Sequence, residues 1–143
     1  MLVLDANILI RGVLGKKVRL LLTAYQKAVG FYAPATAFRE AKEHTQDIIL
    51  KRGGDPDRAL GTLNGLWDYV VSLQPETYEA FESQARERLV RRDPDDWPIL
   101  AGALALECAI WTEDRDFFGV GVATWTSDRV EIYLRRPTPT AVR

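Results

Sequence analysis

Four carboxylates stand directly beside apolar sequence: Asp5 after Leu2-Val3-Leu4, Glu40 after Phe38-Arg39, Asp96 before Trp97-Pro98-Ile99, and Asp114 shortly after Ile110-Trp111. An acid so placed is costly to desolvate unless it is paired or bound to a metal. Gathered in one place, the four would repel one another unless a divalent cation neutralised them. The 143 residues include one Cys and one His, which excludes a disulfide and all but excludes a zinc site built from sulfur and nitrogen. Metal chemistry here is therefore oxygen chemistry, and Mg²⁺ or Mn²⁺ suits it. Such an ion keeps several waters, one of which can lose a proton and attack a phosphodiester while the ion stabilises charge on the phosphate. Each acid alone also has an ordinary use. Asp5 can end a strand or cap a helix, Glu40 can be a solvated helix residue, Asp93 and Asp96 suit a turn, and Asp114 suits an acidic loop. The joint pattern is more specific than any one member.

The elements that must position these acids alternate between strand and helix. Leu2 to Leu4, Phe31 to Ala33, Val70 to Leu73 and Ala109 to Thr112 read as short buried strands. Val120 to Trp125 and Val130 to Leu134 are alternative candidates for one further edge strand. A helix is expected from about Ile8 toward Val29, with Asn7 as its cap and interruptions near Gly12 and Gly15. Pro34 suits the first turn of the next helix, which carries Glu40, Glu43 and His44 and ends at Gly53-Gly54. A helix from Asp55-Pro56 to about Asp68 follows. Pro75 to Arg92 reads as one amphipathic helix with Tyr78, Phe81, Ala85 and Leu89 inside, and Ile99 to Cys108 as a buried one. This alternation means a parallel sheet covered on both faces, with ligands bound beyond the C-terminal ends of its strands. Asp5 and Asp114 fall at that edge.

The composition is that of a globular chain, 47% hydrophobic and 27% charged, with 19 basic and 20 acidic residues. That excludes a collagen-like chain or a disulfide framework. Near-zero net charge argues neither for nor against nucleic acid, because acids gathered in one site would leave a mildly basic rim. No apolar run approaches membrane-spanning length, and the opening MLVLDANILI lacks a basic first region. The expectation is a cytoplasmic protein with no membrane partner, a single domain over residues 1–134 and a flexible tail over 135–143.

The motifs carry a resemblance. Leu4-Asp5-Ala6-Asn7-Ile8-Leu9 resembles the opening motif of the PIN-domain family. Arg92-Asp93-Pro94-Asp95-Asp96-Trp97-Pro98-Ile99-Leu100-Ala101 resembles its third motif, and Trp111-Thr112-Glu113-Asp114-Arg115-Asp116-Phe117 its closing T-x-D-x-D-F motif. Phe38-Arg39-Glu40 is similar to the second and least specific motif. The resemblance implies a three-layer α/β/α sandwich around a parallel sheet of four to five strands. It implies a Mg²⁺- or Mn²⁺-dependent endoribonuclease that leaves 5′-phosphate and 3′-hydroxyl ends. Small members of this kind are often VapC-like toxins of toxin–antitoxin pairs, so an antitoxin protein is an expected partner beside the RNA substrate. Carried over by position, Asp5, Glu40, Asp96 and Asp114 form the acidic tetrad, and Asp5, Asp96, Asp114 and Asp116 hold metal. Asn7, Thr112 and Asp93 orient the ligands or water from behind them. Asp93 and Asp96 compete for the direct ligand role; Asp96 is preferred because it directly precedes the buried helix.

Around this site, Lys16, Lys17, Arg19, Arg39, Lys42, Arg91, Arg92 and Arg115 are candidate phosphate contacts, with Arg39 and Arg115 ranked first because they adjoin proposed ligands. Of the four tryptophans, Trp67 and Trp111 read as core and Trp97 as the best base-stacking candidate. His44, four residues after Glu40, shares its face; a plain surface role competes with a positioning one. A symmetric homodimer is the default expectation.

Other classes fit less well. A haloacid-dehalogenase-like phosphatase needs D-x-D-x-T where this chain has Asp5-Ala6-Asn7-Ile8-Leu9, and a receiver needs an acid after the third strand where Gln74-Pro75 stands. An EF-hand fails for want of its Gly and terminal Glu after Asp93. A non-catalytic RNA- or partner-binding module and a housekeeping RNA-processing nuclease remain as alternatives.

Overall fold

Three consecutive buried residues, Leu2–Leu4, form the central strand β1. In the computed structural model, which describes residues 1–136, it is flanked by β2 (Phe31–Pro34) and β4 (Ala109–Trp111). Beyond them lie β3 (Val70–Leu73) and β5 (Thr124–Trp125), giving the order β3-β2-β1-β4-β5 with every pairing parallel. Parallel strands with both faces covered need continuous apolar runs, which is what LVL and AIW supply. One helical layer comprises α1 (Ala6–Leu14), α2 (Lys17–Tyr25), α3 (Ala35–Lys51) and α4 (Pro56–Gly65), which pack on one another. A second group comprises α5 (Pro75–Tyr78), α6 (Glu82–Arg88) and α7 (Trp97–Leu106). The fold is an α/β/α sandwich around a five-stranded parallel sheet. Among the described residues no helix is long and apolar enough to cross a membrane.

The register positions the site. Leu4 pairs with Trp111, so the next residues in each chain, Asp5 and Thr112, emerge side by side at the C-terminal edge of the sheet. α7 is apolar almost all round and packs against β1, β2 and β4, which seats Asp96 at its start beside that edge.

Several expectations need correction. Asp5, not Asn7, caps the first helix: its Oδ1 accepts the Ile8 N–H at 3.0 Å. The helix passes unbroken through Gly12 and stops at Gly15, whose N–H closes on the Arg11 carbonyl at 2.9 Å. Pro34 ends β2 opposite Leu73 instead of opening α3. The stretch from Pro75 splits into α5, a 3-10 turn over Glu79–Phe81, and α6. It ends early because Leu89 is its last buried position and Val90 is exposed. Only Thr124–Trp125 extends the sheet; Val130–Leu134 is helix α8. Val130 and Leu134 are buried and Ile132 is 56% exposed, a helical period that V-E-I-Y-L also permits alongside a strand's alternation. Of the expected tail, Arg135 pairs with Glu131 at 3.3 Å and Arg136 lies over the Trp125 ring; residues 137–143 lie outside the described residues.

Candidate active site

The C-terminal edge of the sheet opens into a cleft of about 510 Å³. Asp5, Glu40, Asp93, Asp96, Glu113 and Asp114 line it, together with Asn7 and His44. Ile10, Ile48, Ile99 and Phe117 form its apolar wall. The four acids singled out from sequence therefore come from four separate stretches of chain onto one surface. Asp5 arrives as the residue after β1, Asp114 from the loop after β4, Asp96 from the turn that starts α7, and Glu40 from the second turn of α3.

Asp5 is only 6% exposed. Its Oδ1 accepts the Ile8 N–H, and its Oδ2 accepts the Thr112 hydroxyl. Thr112 Oγ1 in turn accepts the Asp114 N–H at 2.9 Å, and Asp114 Oδ1 accepts the Asp116 N–H at 2.9 Å. A continuous hydrogen-bonded path thus runs from Asp5 through Thr112 to Asp114 and Asp116. It holds the Asp5 and Asp114 carboxylates and the Asp116 backbone in place. Asp96, Asp114 and Asp116 place one carboxylate oxygen each within 4.8 Å of one another. Asp116 reaches this cluster although it does not line the cleft itself.

The electrostatics are those of an uncompensated acidic site. Burial pushes the Asp5 carboxyl up to about 6, with the charges of Asp114 and Glu40 adding to the rise, against the lowering effect of its Thr112 and Ile8 hydrogen bonds. Burial, followed by the charges of Asp93, Asp114, Glu40 and Asp5, pushes Asp96 up to about 7. Among the described residues no Lys or Arg forms an ion pair with any of these acids; the two ion pairs are Arg86–Glu82 and Arg135–Glu131. The donor set is all oxygen, which fits a hard divalent cation.

The remaining sequence candidates divide. Asn7 and Asp93 line the cleft, and Thr112 lies buried beneath it. His44 lines it one helical turn beyond Glu40, whereas Glu43 does not. Arg39 and Arg115 are exposed next to Glu40 and Asp114 but outside the lining. Trp97 is also outside it, tilted against Tyr78 with ring centroids 5.6 Å apart and covered by the Arg86 guanidinium. Trp111 is buried as expected, but Trp67 is 48% exposed and stacks on Phe38 at 4.2 Å. Glu113 went unselected in the sequence. It lines the cleft while its Oε1 accepts the Ser127 N–H at 2.6 Å, and its only signal was membership of the acidic loop.

Comparison with curated proteins finds none that matches. The family model described as PIN domain matches residues 3–135, a span that includes every carboxylate of the cleft. With that coverage, the chain belongs to the PIN-domain family, whose members are in general divalent-metal-dependent nucleases acting on RNA.

Proposed function

We propose that this protein is an endoribonuclease working with Mg²⁺ or Mn²⁺ in one domain over residues 1–134. The observation that supports it most is the convergence of Asp96, Asp114 and Asp116 oxygens within 4.8 Å, unbalanced by any paired cation among the described residues. Asp5, Asp96, Asp114 and Asp116 would hold the ion, and Glu40 would reach it directly or through water from the α3 wall. When bound, the cation supplies Lewis acidity at the phosphate and eases deprotonation of the attacking water. Thr112 and the Ile8 N–H hold both Asp5 oxygens in place. Asn7 and Asp93 sit on the cleft wall where they can orient water. Cleavage of end-labelled RNAs in Mg²⁺, in Mn²⁺ and in EDTA tests the reading. It expects metal-dependent cuts with 5′-phosphate and 3′-hydroxyl ends. A folded protein that binds Mn²⁺ and RNA yet never cuts would instead be the non-catalytic module.

The biological role we favour is the toxin of a toxin–antitoxin pair, acting in the cytoplasm as a homodimer. Its support is the resemblance to small PIN ribonucleases. Growth arrest on expression, relieved by a co-expressed neighbouring gene product, is the expected result; growth without arrest favours a housekeeping nuclease.

A further inference from the structure

Beside the acidic cleft lies a second hollow of about 430 Å³, lined by Arg11, Lys16 and Lys17 with the Leu14-Gly15 turn and Ser127. The two hollows share Asn7 and Ile10, so one surface runs without interruption from the carboxylates to these three cations. Their charge characters are opposite. The first has six carboxylates in its lining and the second has none. Arg11, Lys16 and Lys17 are exposed, and among the described residues none of them is in an ion pair. The charge of Lys17 also contributes, as the least of several causes, to holding the Asp128 and Glu131 carboxyls low. Arg19 plays a different part. Its Nε donates to the Gly15 carbonyl at 3.0 Å, bracing the turn that presents Lys16 and Lys17. Arg11 follows Asn7 by four residues on α1, so both project from the same helical face.

We propose that this hollow binds backbone phosphates of single-stranded RNA flanking the scissile bond, so that the strand leaves the carboxylate cleft over Asn7 and Ile10 toward the α1–α2 turn. This rests on the ribonuclease reading for its orientation, not for its measurement. A polyanion approaching a site of like charge is drawn in by cations next to it, and in the metal-free protein that attraction must come from side chains outside the carboxylate cleft. The hollow adjoins the carboxylate cleft directly, through the shared Asn7 and Ile10.

The test is the affinity of a fluorescein-labelled single-stranded RNA 12-mer, measured in EDTA so that binding is read without cleavage, between low and moderate KCl. The variant Arg11→Gln/Lys16→Gln/Lys17→Gln is compared with wild type and with Lys27→Gln/Lys51→Gln, two exposed cations outside the hollow. The triple variant is expected to bind roughly tenfold or more weakly at low salt. Its plot of log K against log salt should be shallower by about 2, three phosphate contacts at ~0.7 each. Its circular dichroism spectrum and Mn²⁺ affinity should match wild type. Unchanged affinity and slope, or an equal loss in the Lys27/Lys51 variant, overturns the proposal. So does displacement of the RNA by polyglutamate of equal charge at equal concentration, which would assign the hollow to an acidic protein segment. Separately, a wild type that binds RNA but does not cut it in Mn²⁺ defeats the nuclease reading and leaves this binding result standing.

Discussion

Arg92 donates from Nη1 to the carbonyl oxygen of Asp116 at 2.8 Å. Four residues earlier, at the end of α6, Arg88 Nη1 donates to the Val120 carbonyl at 3.0 Å. The loop they grip is shaped to receive them. Gly119 and Gly121 have φ of +81° and +89°, and a Cβ on Gly121 would lie 2.8 Å from Arg88 Nη1. Arg92 directly precedes the Asp93–Asp96 turn, so its bond ties the segment carrying Asp96 to the segment carrying Asp114 and Asp116. Arg92 was a substrate-contact candidate on sequence; its observed partner is the backbone of the acidic loop.

This tie has a measurable consequence for metal affinity. Arg92→Gln should weaken Mn²⁺ binding about tenfold, the range typical of groups that orient metal ligands, while leaving the metal-free fold intact. Mn²⁺ titration followed by electron paramagnetic resonance reads it. An affinity equal to wild type would show that the two turns hold their geometry without the tie.

Thr112→Val tests the path from Asp5 to Asp114. The substitution keeps the shape of the side chain but removes the donor to Asp5 Oδ2 and the acceptor of the Asp114 N–H. The cost should be about 1–3 kcal/mol for buried groups left unpaired. Thr112→Ser should recover most of it. Thermal melts that rank Val with Ser would contradict the role given to the hydroxyl.

The raised carboxyls make a signed prediction for stability in EDTA. Asp5 and Asp96 ordinarily titrate at 3.8 and are pushed up to about 6 and about 7 in the fold. The folded state therefore binds more protons than the unfolded state between these values, and stability falls as pH rises through that window. The metal-free protein should lose stability between pH 5 and pH 8, and Asp5→Asn should reduce that loss and melt higher than wild type at pH 8. Mn²⁺ affinity should run the opposite way and strengthen over the same interval, because the ion requires deprotonated carboxylates. Asp128 and Glu131, held low by hydrogen bonds from Thr126 and Tyr25, lose their contribution only at lower pH and do not interfere. A Tm in EDTA that rises from pH 5 to pH 8 with no effect of Asp5→Asn would contradict the assignment.

Trp97 supplies a negative control for base stacking. Packed between Tyr78 and Arg86, its loss in Trp97→Ala should cost about 2 kcal/mol of stability, less than a fully buried aromatic, and leave RNA affinity unchanged once the protein is folded. A loss of RNA affinity with undiminished stability would place the ring against substrate after all.

The candidate site was legible because of where parallel strands end. Apolar triplets such as LVL and AIW announce buried strands, and the acids that follow them must then share one edge. Asp5 and Asp114 needed nothing more than that rule, and the apolar run after Asp96 identified its helix. What the sequence hid depends on contacts between distant segments. V-E-I-Y-L satisfies a strand and a helix equally until burial of Val130 and Leu134 decides between them. Asn7 and Asp5 are both good caps, and the hydrogen bond from Ile8 selects Asp5. Arg92 and Arg115 carry the same charge and are both exposed, yet Arg92 is bound to the distant Asp116 carbonyl. The hollow at Arg11 joins the start and end of α1 to Ser127, a neighbourhood that no local pattern contains.

The central claim is that these carboxylates cut RNA by holding a divalent cation, and single-turnover cleavage tests it most directly. End-labelled RNAs cut by wild type in Mn²⁺ should remain intact in EDTA. Asp5→Asn and Asp96→Asn, each confirmed folded, should cut roughly 100-fold more slowly or worse. Equal cutting by wild type and both variants, or cutting that persists in EDTA, would contradict the account.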